Sequence, residues 1–340
     1  MPLSDQYRAL REGAGLIDRS DRGRLLLTGA DRRTYLQGLL SNDIASLITG
    51  TGCYATYLTA QGRMIADMRT FEMGDALLVD LVGAVAPVVR DRWAEFIFSE
   101  DVAIEDLSES TAQLGVYGPR AAQVLGAALS AGSLPGEPAP SVELLEGMPL
   151  YGNSRWSFGA APVFVLRSDD AGVMGFDVVV TSDRQKELEE LLRSAGAVDV
   201  GAEAALACRV EAGRPLFRVD MFEDTIPLEA GIEDRAISLT KGCYVGQEII
   251  IRVLHRGQGR VARRLVGLSF DPSAAVPSPG ERIRTGDREI GAITSAVQSP
   301  ALGRPIALGY VHRDFVAPGT PLTVAGAAAV VSALPFLNKN

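Results

Sequence analysis

Cysteine, histidine and lysine are all scarce in this sequence of 340 residues. The three cysteines, Cys53, Cys208 and Cys243, are widely spaced, without the C-x-x-C pair or the even number typical of a disulfide framework. We therefore expect a reducing compartment, and the chain has too few thiolates to hold an iron–sulfur cluster by itself. Because His255 and His312 are the only histidines, a zinc site would need further ligands from distant segments, and no metal site is predicted.

Long apolar runs and the common enzyme motifs are also missing. The longest apolar run, residues 76–89, is interrupted by Asp80 and Pro87 and is too short to span a bilayer. Residues 1–21 carry charges throughout and lack the apolar segment of a secretory signal. There is no phosphate-binding loop, dinucleotide fingerprint or nucleophile elbow. These absences predict a cytoplasmic protein without a membrane partner.

The hydrophobic pattern predicts an α+β protein with a β-rich end. A chain of this length fits two or three domains, and a hydrophobic fraction of 47% is enough for real cores. Helical and strand patterns alternate up to about residue 212, with proline-rich connections at residues 132–149 and 271–280. Short strands at regular spacing between residues 282 and 332 are typical of a small β-barrel or sandwich.

Residues 240–248 gather more chemically active side chains than any other stretch. Lys241 lies two residues from Cys243, and a nearby cation favours thiolate over thiol. Gly242 and Gly246 allow positive φ or a close approach of the backbone. The alternative is a polar turn in which Cys243 is a small buried hydrophobe, leading into a buried β-strand at residues 249–251.

The run Lys-Gly-Cys-Tyr-Val-Gly-Gln-Glu at residues 241–248 resembles the signature of the YgfZ-type folate-binding family. These proteins are relatives of the glycine-cleavage T-protein, an aminomethyltransferase, and include mitochondrial iron–sulfur-assembly factors. The resemblance implies three regions around a central funnel, two α+β modules and a C-terminal β-barrel. It divides the chain into residues 1–48 plus 145–250, residues 49–144, and residues 251–340.

The same resemblance implies a tetrahydrofolate pocket with named residues. Asp67 matches the aspartate that assists methylene transfer in the T-protein, although this chain has Ala66 where a second acid is usual. Asp177 matches the acid that holds the pterin, whose paired N–H donors suit a carboxylate. The implied catalytic residues are Cys243, Asp67 and Lys241, and the implied folate-binding residues are Asp177, Arg209, Glu211, Tyr57, Tyr244 and Gln247.

Three functions remain open at this point. The first is a tetrahydrofolate-binding YgfZ-like accessory protein that uses Cys243 to support iron–sulfur client enzymes, including some that modify tRNA. The second is a true aminomethyltransferase that uses Asp67. The third is a non-enzymatic scaffold for an acidic protein or tRNA, because residues 252–264 form a basic segment in a chain with a net charge of −9. The basic side chains of that segment are Arg252, Arg256, Arg260, Arg263, Arg264 and His255.

Overall fold

The computed structural model describes residues 1–255 and 260–337. Its helices are α1 (Leu3–Glu12), α2 (Arg32–Leu39), α3 (Ala86–Ala94), α4 (Ala121–Gly132), α5 (Val142–Gly147), α6 (Gln185–Ser194), α7 (Ala202–Glu211), α8 (Pro227–Ala230), α9 (Glu233–Ala236) and α10 (Gln247–His255). Its strands before α7 are β1 (Gly15–Asp18), β2 (Arg22–Thr28), β3 (Gly52–Leu58), β4 (Met64–Glu72), β5 (Leu77–Val82), β6 (Ala103–Asp106), β7 (Thr111–Tyr117), β8 (Asn153–Phe158), β9 (Ala161–Ser168), β10 (Gly175–Thr181) and β11 (Val198–Asp199). The strands after α10 are β12 (Arg263–Phe270), β13 (Arg282–Thr285), β14 (Arg288–Ser299), β15 (Arg304–His312), β16 (Pro321–Val324) and β17 (Ala327–Ser332).

The first module is a five-stranded sheet in the order β3-β4-β5-β2-β6. Its strands are nearly continuous apolar runs because both faces are covered, as in β5, where Leu77, Leu78, Val79 and Leu81 are all fully buried. The apolar side chains of α2, α3 and α8 to α10 belong to the same core. The sheet therefore holds β4, which carries Asp67, in a fixed position beside β3.

The second module is a six-stranded sheet in the order β11-β1-β7-β10-β9-β8. All its pairs are antiparallel except that of β1 with β11. Helices α4 and α6 cover one face, and α6 contributes the buried Leu188 and Leu192 of its predicted apolar stripe. The other face meets the first module and carries Asp177.

The third region is a closed barrel of six strands in the order β12-β15-β14-β13-β16-β17. Alternate residues of β12, including Leu268 and Phe270, fill its interior. The predicted architecture of two α+β modules and a C-terminal barrel is therefore confirmed. Among the described residues, none of the helices has both the length and the apolarity needed to cross a membrane.

Some details differ from the sequence-based expectations. Strand β2 belongs to the five-stranded sheet, although it lies in the expected segment 1–48, whose other strand is in the six-stranded sheet. Strand β7 belongs to the six-stranded sheet, although it lies in the expected segment 49–144, whose other strands are in the five-stranded sheet. Residues 249–251, predicted as a strand, lie in α10, where Ile250 is buried and Glu248 and Arg252 are exposed. The segment is helical because its buried and exposed residues follow the helical period, although its β-branched residues favour a strand. The connection at residues 132–149 contains α5.

Candidate functional site

A cavity of about 450 Å³ lies where the two modules and α7 meet. Its volume is within the usual range for small-molecule sites. Six arginines and four aspartates line it together with apolar side chains, so its wall has both charged and apolar parts. The charged residues that line it are Asp18, Arg19, Asp21, Arg22, Asp67, Arg69, Asp170, Arg209, Arg214 and Arg235.

Asp67 lies in the wall of this cavity on β4 and is only 8% exposed. In the register of β3 and β4, Tyr54 pairs with Arg69, which places the tyrosine diagonally opposite Asp67. The Tyr54 hydroxyl donates a hydrogen bond of 2.6 Å to Asp67 Oδ2. Burial raises the pKa of Asp67, against the lowering effects of that hydrogen bond and of the positive charge of Arg22, and the negative charge of Asp170 raises it further.

Asp170 is the second cavity carboxylate held close to the module interface. Its Oδ2 lies 3.1 Å from Arg19 Nη2 and 3.4 Å from Arg69 Nη1. Burial opposes ionisation of Asp170, but Arg69 and Arg19, with smaller effects of other arginines, lower its pKa well below the usual range. Two of the four cavity carboxyls therefore have pKa values shifted in opposite directions, upward for Asp67 and downward for Asp170.

Asp177, predicted to bind the pterin, is fully buried outside this cavity. Its Oδ2 accepts a hydrogen bond from Arg69, and its Oδ1 accepts one of 2.8 Å from the Tyr117 hydroxyl. Arg19 Nε lies 3.5 Å from Oδ1. Both oxygens of Asp177 are thus used inside the protein, and its predicted ligand role is not supported by the geometry.

Lys241, predicted to be catalytic, has a structural role. Its ammonium donates to the backbone carbonyls of Gln37, Leu40 and Asn42 at 2.6, 2.5 and 2.9 Å, where it caps the end of α2. Burial lowers the pKa of Lys241 to about 8. The thiol that interacts with this ammonium is the half-buried Cys53, and burial raises its pKa to about 12.

Cys243 is exposed, and it does not line the cavity among the described residues. The turn that follows it packs on the β3–β4 hairpin instead. Gly246 has φ +86°, and a Cβ there would lie 2.5 Å from the carbonyl oxygen of Thr59. Gly62 faces it with φ +72°. Residues 241–248 are therefore a brace for the hairpin that carries Asp67, and the predicted thiol site at Cys243 is not formed.

The other predicted folate-binding residues have structural contacts. Tyr57 points away from the cavity and packs edge-on against Trp93, with ring centroids 5.9 Å apart. Glu211 is fully buried and accepts hydrogen bonds from Arg11, from the Tyr7 hydroxyl at 2.7 Å and from Ser299 Oγ at 2.5 Å.

Arg209 does line the cavity, but its guanidinium donates to Asp220 Oδ2 at 2.6 Å and to Ser295 Oγ at 2.7 Å. Tyr244 is buried under the Lys241 ammonium, and Gln247 begins α10. Of the nine predicted site residues, all of them within the described part of the chain, Asp67 and Arg209 alone line the cavity.

The basic segment is partly neutralised. Arg263 pairs with Asp224 and Glu229 at 2.9 and 3.2 Å, and Arg264 pairs with Glu233 at 2.8 Å. Arg252, His255 and Arg260 are exposed. Arg256 lies outside the described residues. Two of its arginines are thus engaged in surface ion pairs with acids of the same chain, which leaves fewer free charges for tRNA or an acidic protein.

Comparisons with known proteins agree on one family. Residues 2–241 match the model of the GCVT N-terminal domain, and residues 263–337 match that of the glycine cleavage T-protein C-terminal barrel domain. An aminomethyltransferase of Corynebacterium jeikeium (strain K411) is 30% identical over 339 residues, covering 94% of this chain and 85% of the relative. An aminomethyltransferase of Saccharopolyspora erythraea is 30% identical over 346 residues, covering 98% and 90%.

Among solved structures, the glycine cleavage system aminomethyltransferase T from Bartonella henselae has a TM-score of 0.85. The match covers 98% of this chain and 89% of that one at 23% identity, which supports the fold. The prediction of a YgfZ-like accessory protein for iron–sulfur clients is wrong, because the near-full-length relatives are named aminomethyltransferase. Its structural basis fails as well, since residues 241–248 brace a hairpin.

Proposed function

Because the chain belongs to the glycine cleavage T-protein family, we propose that it is an aminomethyltransferase that transfers a one-carbon unit to tetrahydrofolate. The observation that carries the proposal is Asp67, a nearly buried carboxyl with a raised pKa in the wall of a ligand-sized cavity. A positioned acid of this kind is what proton transfer at an amine nitrogen requires.

The cavity suits a folate in three respects. Its volume of about 450 Å³ and its apolar walls suit a flat heterocycle. Its six arginines exceed its four aspartates, which suits the carboxylates of a glutamate tail. Tyr54 holds Asp67 in one orientation through its hydroxyl.

The missing second acid does not count against this function. Successive residues of a strand point to opposite faces, so Ala66 faces away from Asp67. Ala66 is fully buried in the core of the five-stranded module. An acid at position 66 would therefore stand in that core, and Asp67 keeps its place in the cavity without it.

Tetrahydrofolate supplies the nitrogens that accept the one-carbon unit, and the protein supplies the proton. Asp67 keeps its proton to a higher pH than an exposed aspartate because burial and Asp170 both raise its pKa. It can therefore protonate the departing amine of the donor. The Tyr54 hydroxyl stabilises the carboxylate that remains after the transfer.

The test is methylene transfer from an aminomethyl-loaded lipoyl carrier protein to tetrahydrofolate. We expect the wild type to be active and Asp67→Asn to lose roughly 10²- to 10⁴-fold in kcat, because the amide cannot release a proton. Equilibrium binding of tetrahydrofolate to Asp67→Asn should change by no more than a few fold.

Two control variants separate this proposal from a role of residues 241–248 in the chemistry. Glu248→Gln and Cys243→Ala change exposed side chains of that stretch and should retain wild-type transfer rates. A wild type that binds tetrahydrofolate but transfers nothing would refute the proposal. Retention of full activity by Asp67→Asn would remove Asp67 from it.

A further inference from the structure

Tyr54, whose hydroxyl donates to Asp67, is itself held by two residues from outside the five-stranded sheet. The central carbon of the Arg235 guanidinium, carried by α9, lies 5.0 Å from the centre of the Tyr54 ring. The ring of Tyr151, in the connection between α5 and β8, lies nearly parallel to that of Tyr54, with centroids 6.5 Å apart. Stacked rings attract each other, and so do a cation and a ring face, so both contacts restrict the Tyr54 phenol.

Arg235 and Tyr151 are also joined to each other. Arg235 Nη2 donates hydrogen bonds to the Tyr151 hydroxyl at 2.5 Å and to Asp169 Oδ1 at 3.3 Å. The side-chain amide of Asn42 donates to the backbone carbonyls of Tyr54 and Arg235 at 2.8 and 3.0 Å, which ties the main chains of these two residues together. Because the guanidinium is a rigid planar fork, these partners fix its orientation beside the Tyr54 ring.

Tyr151 has a backbone conformation that side chains rarely adopt. Its φ is +63°, where a bulky residue is an outlier that persists only when its surroundings determine it. Gly52, at the start of β3, makes room for this conformation, since a Cβ there would lie 2.7 Å from the Tyr151 carbonyl oxygen. Tyr151 is only 7% exposed and, unlike Arg235, is not one of the described residues that line the cavity. A role in positioning therefore suits it better than contact with a ligand.

We propose that Arg235 and Tyr151 are positioning residues, which fix the Tyr54 phenol so that its hydroxyl stays hydrogen-bonded to Asp67. Both act through Tyr54 rather than on the ligand. The effect of the pair on the reaction rests on the proposed function, because it takes Asp67 as the acid. Its effect on the Asp67 carboxyl does not depend on any reaction, so the two can be tested separately.

The pKa of Asp67 reports on this arrangement. Burial raises it, and the strongest opposing effect is the hydrogen bond from Tyr54 on β3. The other charged groups that act on it are Arg22 on β2, which lowers it, and Asp170 in the connection between β9 and β10, which raises it. Because the Tyr54 hydroxyl stabilises the ionised carboxyl, a less well-placed Tyr54 leaves Asp67 with a higher pKa.

The experiment measures the pKa of Asp67 by ¹³C NMR in protein labelled at the aspartate carboxyl carbons, where the Asp67 signal is the one missing from Asp67→Asn. Tyr54→Phe should raise this pKa by roughly 1–2 units, the equivalent of one hydrogen bond to a charged group. Tyr151→Phe deletes the hydroxyl that accepts from Arg235, and we expect it and Arg235→Gln each to raise the pKa by roughly 0.5–1 unit.

The same two variants also have an expected effect on methylene transfer. Tyr151→Phe and Arg235→Gln should lower kcat about 10-fold and leave the KM for tetrahydrofolate within about twofold of the wild type, because they misplace a group without removing a ligand contact. Since Asp67 acts as an acid in the proposed function, the fall of kcat at high pH should move to higher pH together with its pKa. A wild type that transfers nothing would refute the proposed function and leave the NMR titration intact.

Tyr7→Phe is the matched control. The Tyr7 hydroxyl also accepts a hydrogen bond from an arginine, Arg11 Nε at 3.1 Å, but it belongs to α1 and is not among the described residues that line the cavity. This variant should leave the pKa of Asp67 and kcat unchanged. An equal shift in Tyr7→Phe would overturn the inference, because any lost tyrosine hydroxyl would then have the same effect.

A double-mutant comparison tests whether the effect passes through Tyr54. In the Tyr54→Phe background, Tyr151→Phe should cause no further rise in the pKa of Asp67, whereas additive shifts would overturn the inference. An unchanged pKa in both Tyr151→Phe and Arg235→Gln would overturn it as well. Circular dichroism of each variant before titration identifies any shift that comes from unfolding.

Discussion

At the scale of single residues, the surroundings of two of the cavity's carboxyls, Asp67 and Asp170, shift their pKa values in opposite directions. Burial and the charge of Asp170 raise the pKa of Asp67, whereas arginines lower the pKa of Asp170 well below the usual range. Pairs of acids with opposed shifts commonly divide proton transfer and charge stabilisation between them. Here the division follows from position, since Asp170 lies beside Arg69 and Arg19 while Asp67 accepts a hydrogen bond from a neutral phenol.

Asp80 makes the protein sensitive to acid. Arg22 and Arg69 lower the pKa of this buried carboxyl to about 2, although burial alone would raise it. Because the folded pKa lies below the ordinary value of 3.8, Asp80 contributes stability that is present above about pH 4 and lost as the pH falls toward 2. We expect the free energy of unfolding, measured with urea, to fall over that interval in the wild type and to change less in Asp80→Asn.

At pH 7, Asp80→Asn should cost about 3–5 kcal/mol, because Arg69 and Arg22 lose a buried partner. The comparison variant is Asp75→Asn, whose ion pair with Arg155 is exposed and should contribute less than about 1 kcal/mol. Parallel pH dependence in the wild type and Asp80→Asn would show that this carboxyl does not titrate as stated.

The sequence identifies Asp67 as a site residue, but it gives no sign of Asp170. The glycine turn at Gly62 and the strand after it identify Asp67 by resemblance to the T-protein pattern. Asp170 lies in a loop, and its lowered pKa comes mainly from Arg19 and Arg69, which are 151 and 101 positions away along the chain. Only the meeting of two sheets brings these three together. The same folding buries Asp177, which strand alternation alone presents as a solvated position.

At the scale of elements, the stretch with the most reactive side chains is a structural brace. Lys241 caps the end of α2, and Gly246 packs against the turn of the β3–β4 hairpin. The sequence predicts the close backbone approach at Gly246, whereas the Lys241 ammonium, predicted to act in chemistry, is held by backbone carbonyls. The spacing of Lys241 and Cys243 could not reveal that three carbonyls at the end of α2 would take the ammonium.

Gly246→Ala tests the brace. The new Cβ would lie 2.5 Å from the Thr59 carbonyl oxygen at φ +86°, and we expect a loss of about 1–3 kcal/mol in the free energy of unfolding. Gly242→Ala is the matched control, because its Cβ would meet nothing within 4 Å, and it should stay within about 0.5 kcal/mol of the wild type. Urea unfolding measures both, and equal values for the two variants would contradict the brace.

At the scale of the whole molecule, buried charges join the three regions. Arg69 of β4 contacts Asp80 in its own sheet and Asp177 in the other. Asp220 is fully buried and accepts hydrogen bonds from Arg209 of α7 and from Thr294 and Ser295 of the barrel. We therefore expect the three regions to unfold in one cooperative transition.

Asp220→Asn should weaken the attachment of the barrel by about 3–5 kcal/mol, because the buried Arg209 guanidinium loses its anion. In differential scanning calorimetry we expect the single transition to separate into two, with the barrel unfolding at the lower temperature. Ser269→Ala, which removes a hydrogen bond to Ser332 within the barrel, should keep one transition. One sharp transition in Asp220→Asn would argue against this link.

The different chain connectivity of the two sheets also sets an order of events during synthesis. Every strand of the five-stranded sheet lies between Arg22 and Asp106, whereas the six-stranded sheet needs β1 near the start of the chain and β11 at Val198–Asp199. At ribosomal rates of about 5–20 residues per second, about 5–20 seconds separate completion of the two strand sets. During that interval β1 can pair with β7 but lacks β11, its neighbour on the other side, so the nascent chain exposes an unpaired strand edge that chaperones would be expected to cover.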